Sequence, residues 1–157
     1  MDGSQFAREN AASQSDIDTL AGVQPEFGKV NRNIKGPLES AIKKRVGEKD
    51  WAQVIYCAGG GWYGVEPQHG YLVGGQWIPD FLWITSFWRH KKKLESFSFV
   101  MENVPDRTES NLREVSINAL EKMTGLRLWH NVQASRFIKT RDSVSKDDWW
   151  KAGQPSS

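Results

Sequence analysis

The chain of 157 residues contains a single cysteine, Cys57. One thiol cannot form an internal disulfide, and it excludes a zinc site built from cysteines. The sequence also lacks an apolar run long enough to cross a bilayer, and its N-terminus lacks the apolar stretch of a secretion signal. We therefore expect a soluble, intracellular protein without a membrane partner.

An excess of charge is also missing, because 21 Lys and Arg oppose 19 Asp and Glu, for a net charge of +2. The overall charge therefore does not indicate a polyanionic partner. One basic cluster stands out locally, and it consists of Arg89, Lys91, Lys92 and Lys93. Such a cluster predicts contact with the phosphates of a nucleic acid, although a solvated turn would have the same composition.

The chain is rich in large aromatic residues, with eight Trp and seven Phe, and its length suits one domain with a sizeable core. Residues 1–33 are rich in Ser, Ala, Gln, Asn and Asp, and such a segment cannot bury enough apolar area to fold. We predict a mobile N-terminal tail at 1–33, a single α/β domain at 34–142 and a loose C-terminal tail at 143–157.

Hydrophobic spacing in the middle of the chain predicts a helix, three strands, a second helix and a last strand. The first helix starts at Pro37, and the second has an apolar stripe from Leu112 to Met123 that ends at Gly125. The predicted strands cover 51–57, 77–86, 97–104 and 126–132, and a Gly59-Gly60-Gly61 run is expected to end the first of them. This order suits a layered α/β fold with mixed strand directions.

Two acidic residues interrupt the apolar strands: Asp80 within 76–84 and Glu102 within 98–104. A buried carboxylate is costly without a partner, and carboxylates from adjacent strands often hold a divalent metal. We predict that the two carboxyl groups lie roughly 4–6 Å apart and share Mg²⁺ or Mn²⁺. Alternatively, Asp80 accepts hydrogen bonds from backbone amides at a strand end, and Glu102 caps the next helix or pairs with Arg107.

The element order and the two acids resemble those of the PD-(D/E)XK nuclease superfamily over 37–132, with Pro79-Asp80 and Glu102 as the matching motif. The resemblance implies an α/β restriction-endonuclease-like αβββαβ core, a mixed central sheet flanked by helices. It also implies that Asp80 and Glu102 bind Mg²⁺ for phosphodiester hydrolysis in DNA or RNA. A glutamate in the first helix often assists in that family, and Glu39 has this place here.

The lysine of that family, two positions after the glutamate, falls on Val104, which can neither donate a hydrogen bond nor carry a charge. In some branches the lysine comes from the following helix, where Lys122 has a similar position, and His69 resembles an added metal ligand. Two other hypotheses stay open: a catalytically silent relative that binds nucleic acid, and a module for a protein partner or homodimer. On the last hypothesis, exposed tryptophans would anchor the partner. As alternatives for the two helix residues, Glu39 is a solvated acid on the flank of its helix, and Lys122 is a surface lysine that complements the C-terminus of its helix.

Overall fold

The computed structural model describes residues 25–49, 53–66, 68–70, 77–90, 93–105, 111–130 and 141–144. Its helices are α1 (Gly28–Val30), which continues through a π-helical turn (Asn31–Lys35) into α2 (Gly36–Lys49), and α3 (Ile117–Thr124). Its strands are β1 (Gln53–Gly61), β2 (Phe81–His90), β3 (Lys93–Glu102) and β4 (Arg113–Val115). No helix in these ranges is long and apolar enough to cross a membrane.

The four strands form one sheet in the order β1-β2-β3-β4, and each neighbouring pair is antiparallel. The α/β prediction is confirmed, whereas the expected mixture of strand directions is not found among these strands. The connection between β2 and β3 explains part of the difference, because two residues can join antiparallel strands and are far too few for a parallel crossover. A restriction-endonuclease-like core is therefore not established.

The first helix begins at Gly28, inside the segment that was predicted to be a tail, and Val30 is fully buried. The helix passes Pro37 by widening: the Gly36 N–H donates to the Asn31 carbonyl, five residues back. A side chain at position 36 would press on that same carbonyl, with its Cβ only 3.2 Å away, so glycine suits the turn. The predicted start of the first helix at Pro37 is therefore wrong, because helical chain precedes this proline and the π-turn accommodates it.

The second helix is shorter than predicted, because Arg113–Val115 pairs with β3 as a strand instead of forming its first turn. The helix starts after Ser116, whose side chain accepts a hydrogen bond from the Ala119 N–H at 3.1 Å. Its predicted end at Gly125 is confirmed, since that residue adopts the left-handed conformation with φ of 70°. Within the described part of the predicted last strand, 126–130, there is no strand.

The glycines 59–61 belong to β1, and so they do not end it as predicted. They make room for aromatic rings of the neighbouring strand. A Cβ on Gly59 would lie 2.6 Å from the Trp83 ring, and one on Gly61 would lie 2.5 Å from the Phe81 ring. Glycine is therefore required at both positions by close packing.

The sheet is the middle of three layers. One face, here called the α2 face, packs under the first helix; its buried cluster comprises Val30, Ile34, Leu38, Ile42, Leu82, Ile84, Phe97, Phe99, Met101 and Leu112. The other face, here called the α3 face, packs under the second helix; its buried cluster comprises Phe81, Trp83, Phe87, Val100, Ile117, Leu120 and Leu128. Alternation along β2 and β3 divides the residues between the two clusters.

A candidate nucleic-acid interface at one end of the sheet

The predicted acids lie where β1 ends, β2 begins and β3 ends. The Asp80 N–H donates to the Gly61 carbonyl at 2.8 Å, and the Asn103 N–H donates to the Asp80 carbonyl at 2.8 Å. Glu102 is the last residue of β3 and pairs with Phe81, the first of β2. Asp80 and Glu102 therefore lie on neighbouring segments at the same end of the sheet.

The strand register nevertheless gives the two acids alternate positions. Glu102 is opposite Phe81, whose ring belongs to the α3 face, while Asp80 is opposite Asn103. Successive positions of a strand point to opposite faces of the sheet. Asp80 precedes the first residue of β2, so this alternation does not fix its face, and a distance of roughly 4–6 Å between the two carboxyl groups stays a prediction.

The carboxylate of Asp80 holds a loop in place. The residue is only 2% exposed, and its Oδ2 accepts a hydrogen bond from the Tyr63 N–H at 3.0 Å. Its Oδ1 accepts one from the Gln68 N–H at 2.8 Å. Charge-assisted hydrogen bonds offset the cost of burying the acid, and they close the chain between Tyr63 and Gln68. This is the arrangement of the backbone-amide alternative.

Asn103 is a second buried anchor, and no pattern in the sequence distinguishes it from its neighbours. Its Nδ2 donates to the carbonyls of Pro79 at 2.9 Å and Pro25 at 3.1 Å. Its Oδ1 accepts a hydrogen bond from the Phe27 N–H at 2.9 Å. These bonds fix the chain before α1 against the same end of the sheet.

Tyr63 lies over the α3 face at this end. Its ring packs on that of Phe81, with centroids 4.9 Å apart and planes inclined by 34°, and Arg113 hydrogen-bonds its phenol oxygen. Burial is the main reason that the pKa of Tyr63 is raised above its ordinary value of 10.0. Arg113 opposes the rise, whereas the negative charges of Glu102 and Asp80 add to it. The phenol is therefore uncharged at neutral pH.

Exposed aromatic side chains gather in the segments that flank this end. Within the described ranges, the exposed fractions are 46% for Trp62, 50% for Tyr63 and 38% for Trp77, and Val65 in the same loop is 98% exposed. In contrast, Trp83 is buried in the α3 face. The structure thus separates tryptophans that build the core from those that face solvent, which the sequence alone did not.

The remaining predicted site residues are distributed over the molecule. Glu39 is half-buried on α2 and Lys122 is exposed on α3, so they belong to helices on opposite faces of the sheet. His69 makes an edge-to-face contact with Phe27, with centroids 5.5 Å apart. Val104, at the place of the family lysine, is half-buried just beyond β3.

The basic cluster is far from these residues. Arg89 pairs with Leu94, and His90 pairs with Lys93, at the opposite end of the β2–β3 pair from Asp80. At about 3.3 Å per residue, the length of β2 separates the two ends by roughly 30 Å. Lys91 and Lys92 lie outside the described residues, as do the side chains of Arg89 and Lys93.

Across the described ranges, no three His, Cys, Asp or Glu side chains are grouped so that they could hold an ion. A magnesium site needs only one or two carboxylates together with water and substrate phosphate, so a smaller site is compatible with this result. Asp80 is buried with both oxygens bonded to backbone amides. The geometry therefore assigns a structural contact to each oxygen of Asp80.

At one end of its sheet, this α/β protein has exposed aromatic side chains, an exposed arginine beside one of them, and two buried polar residues that anchor the neighbouring chain. The model of a family described as DNA/RNA non-specific endonucleases matches residues 4–135. Since the match covers more than half of the chain, the protein belongs to this family. It supports the nuclease prediction without supporting the PD-(D/E)XK superfamily specifically. A search of curated proteins found no match.

Proposed function

We propose that this protein is an endonuclease that hydrolyses phosphodiester bonds in DNA or RNA. The family match over 4–135 is the observation that supports the proposal most directly. The matched range includes the whole described sheet and both of its helical layers. The substrate is a nucleic acid of either sugar type, read without sequence preference, as the description of the family indicates.

We propose in addition that hydrolysis depends on Mg²⁺ or Mn²⁺. Such an ion polarises the phosphate and lowers the pKa of a bound water, which is the chemistry that this reaction needs. The described residues contain no cluster of three or more potential ligands, so no step is assigned through Asp80 or its neighbours. A metal-bound role for Asp80 and Glu102, and the narrower PD-(D/E)XK mechanism with Glu39 and Lys122, stay predictions from the resemblance.

The proposal is tested with supercoiled plasmid and a long RNA in Mg²⁺, in Mn²⁺ and in EDTA. We expect nicked and linear plasmid and shortened RNA in either metal, and no cleavage in EDTA. A supercoiled substrate has no ends, so its cleavage identifies an endonuclease. Protein that cleaves neither substrate in either metal would overturn the proposal.

Asp80 allows the anchoring and catalytic roles to be separated. If it is an anchor, Asp80→Asn places an amide NH₂ against a backbone N–H and costs about 1–3 kcal/mol of unfolding free energy. The folded fraction should then retain activity within about tenfold of the wild type. If the variant unfolds at the same denaturant concentration as the wild type but is at least a hundredfold less active, the result would instead support a catalytic role for Asp80. Glu66→Gln is the matched control, since it removes an exposed carboxylate from the loop between Tyr63 and Gln68 without changing either contact of Asp80.

A nucleic-acid-binding relative without activity is the second candidate function. It is favoured by the engagement of both Asp80 oxygens in the fold. It predicts that the wild type retards DNA or RNA in a gel while leaving both intact in Mg²⁺ and Mn²⁺. The same assays therefore distinguish the two functions.

A further inference from the structure

The loop that follows β1 presents two adjacent aromatic side chains to solvent. Trp62 and Tyr63 are 46% and 50% exposed, although both belong to residue types that usually bury most of their surface. Gly61, directly before them, is the last residue of β1, so the rings leave from the end of a sheet strand. Val65, a few residues further along the same loop, is 98% exposed.

The ring of Tyr63 is held from three sides. Phe81, which is fully buried, lies beneath it at 4.9 Å, and Arg113 hydrogen-bonds its oxygen. The backbone of the same residue is fixed by the N–H bond to Asp80. A ring that is already fixed loses little conformational entropy when a flat ligand stacks on it.

The charges around this ring are mixed, since the Arg113 cation is opposed by the carboxylates of Glu102 and Asp80, and they favour contact with bases over contact with phosphates at the ring itself. Arg113 is exposed beside the phenol and adds a cation that can stack or contact phosphate. Because the pKa of Tyr63 is raised above 10.0, the phenol adds no negative charge at neutral pH. Every base has a π-face, so stacking tolerates all sequences, as a non-specific family requires.

We propose that Trp62 and Tyr63 form a stacking platform for unpaired bases, so that the protein binds single-stranded DNA or RNA in preference to duplex. The proposal rests on the proposed function, because it takes nucleic acid as the substrate class. Paired bases inside a duplex hide their faces, whereas unpaired bases can leave the backbone and lie on the rings. Trp77, three residues before Asp80, is 38% exposed.

The test measures the affinity of full-length protein for fluorescently labelled single strands and for duplex of the same sequence, in EDTA to prevent cleavage. We expect Trp62→Ala and Tyr63→Leu each to weaken single-strand binding between about fivefold and about a hundredfold. Leucine keeps an apolar contact with Phe81 and removes the stacking face. Val65→Ala is the matched control, since it removes an exposed apolar group from the same loop without removing a ring, and its affinity should equal that of the wild type.

Three further measurements separate stacking from charge and from misfolding. The slope of log affinity against log salt should be unchanged in Trp62→Ala, because no phosphate contact is lost. A single strand in which one or more bases are replaced by abasic sites should bind the wild type less tightly than the intact strand does. This difference in affinity between the two strands should be smaller for Trp62→Ala. Thermal melting followed by circular dichroism shows that each variant is folded.

Unchanged single-strand affinity in both ring variants would overturn the platform, and it would leave the exposed rings as a surface for a protein partner. Equal losses in Val65→Ala and in the ring variants would overturn it too, because a general apolar contact would then suffice. A wild type that neither binds nor cleaves nucleic acid would instead remove the proposed function itself. If the wild type and both ring variants bind nucleic acid equally well, only the platform has failed and the proposed function stands.

Discussion

The two faces of the sheet differ in what their aromatic and polar groups do. On the α2 face, the apolar cluster packs against a helix that runs from Gly28 to Lys49 with a π-turn inside it. Ser86, opposite Phe97, is buried there with a hydroxyl that makes no hydrogen bond to a described residue. On the α3 face, the covering helix is only eight residues long, and polar groups enter the layer. Thr85 and Ser98 share a buried hydrogen bond of 2.9 Å, and the Trp129 ring N–H donates to Thr85 at 3.2 Å.

This contrast separates packing from function within one small domain. A face that is covered by a long helix offers no surface to a ligand, and its residues are exchanged only at a cost in stability. At the end of the α3 face, a ring remains half-exposed above the buried Phe81, next to an exposed cation. A binding surface is therefore expected on the α3 side, where coverage by helix is incomplete.

The largest expected effect comes from a matched pair of core residues, Phe81 on the α3 face and Phe99 on the α2 face, both fully buried. Phe81→Ala and Phe99→Ala should each cost about 3–5 kcal/mol of unfolding free energy, because both leave a cavity. Chemical denaturation followed by tryptophan fluorescence measures the loss. A large difference between the two costs would show that one face is packed more loosely than the contacts indicate.

The milder pair, Phe81→Leu and Phe99→Leu, sharpens the comparison between the faces while keeping the fold. Only Phe81→Leu replaces the ring on which Tyr63 packs, so only this variant should weaken the binding of a single-stranded oligonucleotide. Phe99→Leu is the control for a general loss of stability. Equal weakening by both would mean that the contrast between the faces has no bearing on binding.

Most of the secondary structure could be predicted from the sequence, since apolar periodicity located the two helices and the three long strands. The boundaries failed where tertiary contacts override local signals. Arg113 to Val115 could continue an apolar helical stripe, but pairing with β3 gives it strand conformation. Glycines 59–61 suggest a strand end, but rings from β2 fill the space above them and keep them in β1.

The candidate site was harder to predict from the sequence. The apolar context of Asp80 correctly indicated a buried acid with partners. The sequence pattern does not show, however, whether those partners are backbone amides or a metal ion. Alternation by one residue decides which face a side chain takes, and the register that sets Glu102 opposite Phe81 is a property of pairing between distant segments. The anchoring by Asn103 of the chain near Pro25 joins segments far apart in sequence, and no local pattern encodes it.

An intermediate effect is expected from Gly61→Ala, which brings a Cβ within 2.5 Å of the Phe81 ring. The ring or the strand must shift, and such overpacking typically costs about 1–3 kcal/mol. Because Tyr63 rests on that ring, the same change should also weaken single-strand binding. Gly64→Ala is the control, since a Cβ there meets no atom closer than 3.8 Å. Equal stability of both variants would contradict the role of Gly61 in the packing of this face.

The smallest effect concerns the hydroxyl of Tyr63, tested by Tyr63→Phe. At neutral pH the variant loses the bond from Arg113, which at this half-exposed position is worth at most about 1 kcal/mol. The pKa of Tyr63 is raised in the folded protein, mainly by burial, so the phenol contributes stability below the unfolded value of 10.0. That contribution is lost as the pH rises through the folded pKa, because the folded state then holds a phenolate that it disfavours. The stability advantage of the wild type over Tyr63→Phe should therefore shrink above pH 10, as measured by urea unfolding at pH values on either side of it. Curves that stay parallel across this range would show that Tyr63 titrates alike in both states, and that its ring is less enclosed by Phe81 and Arg113 than the structure indicates.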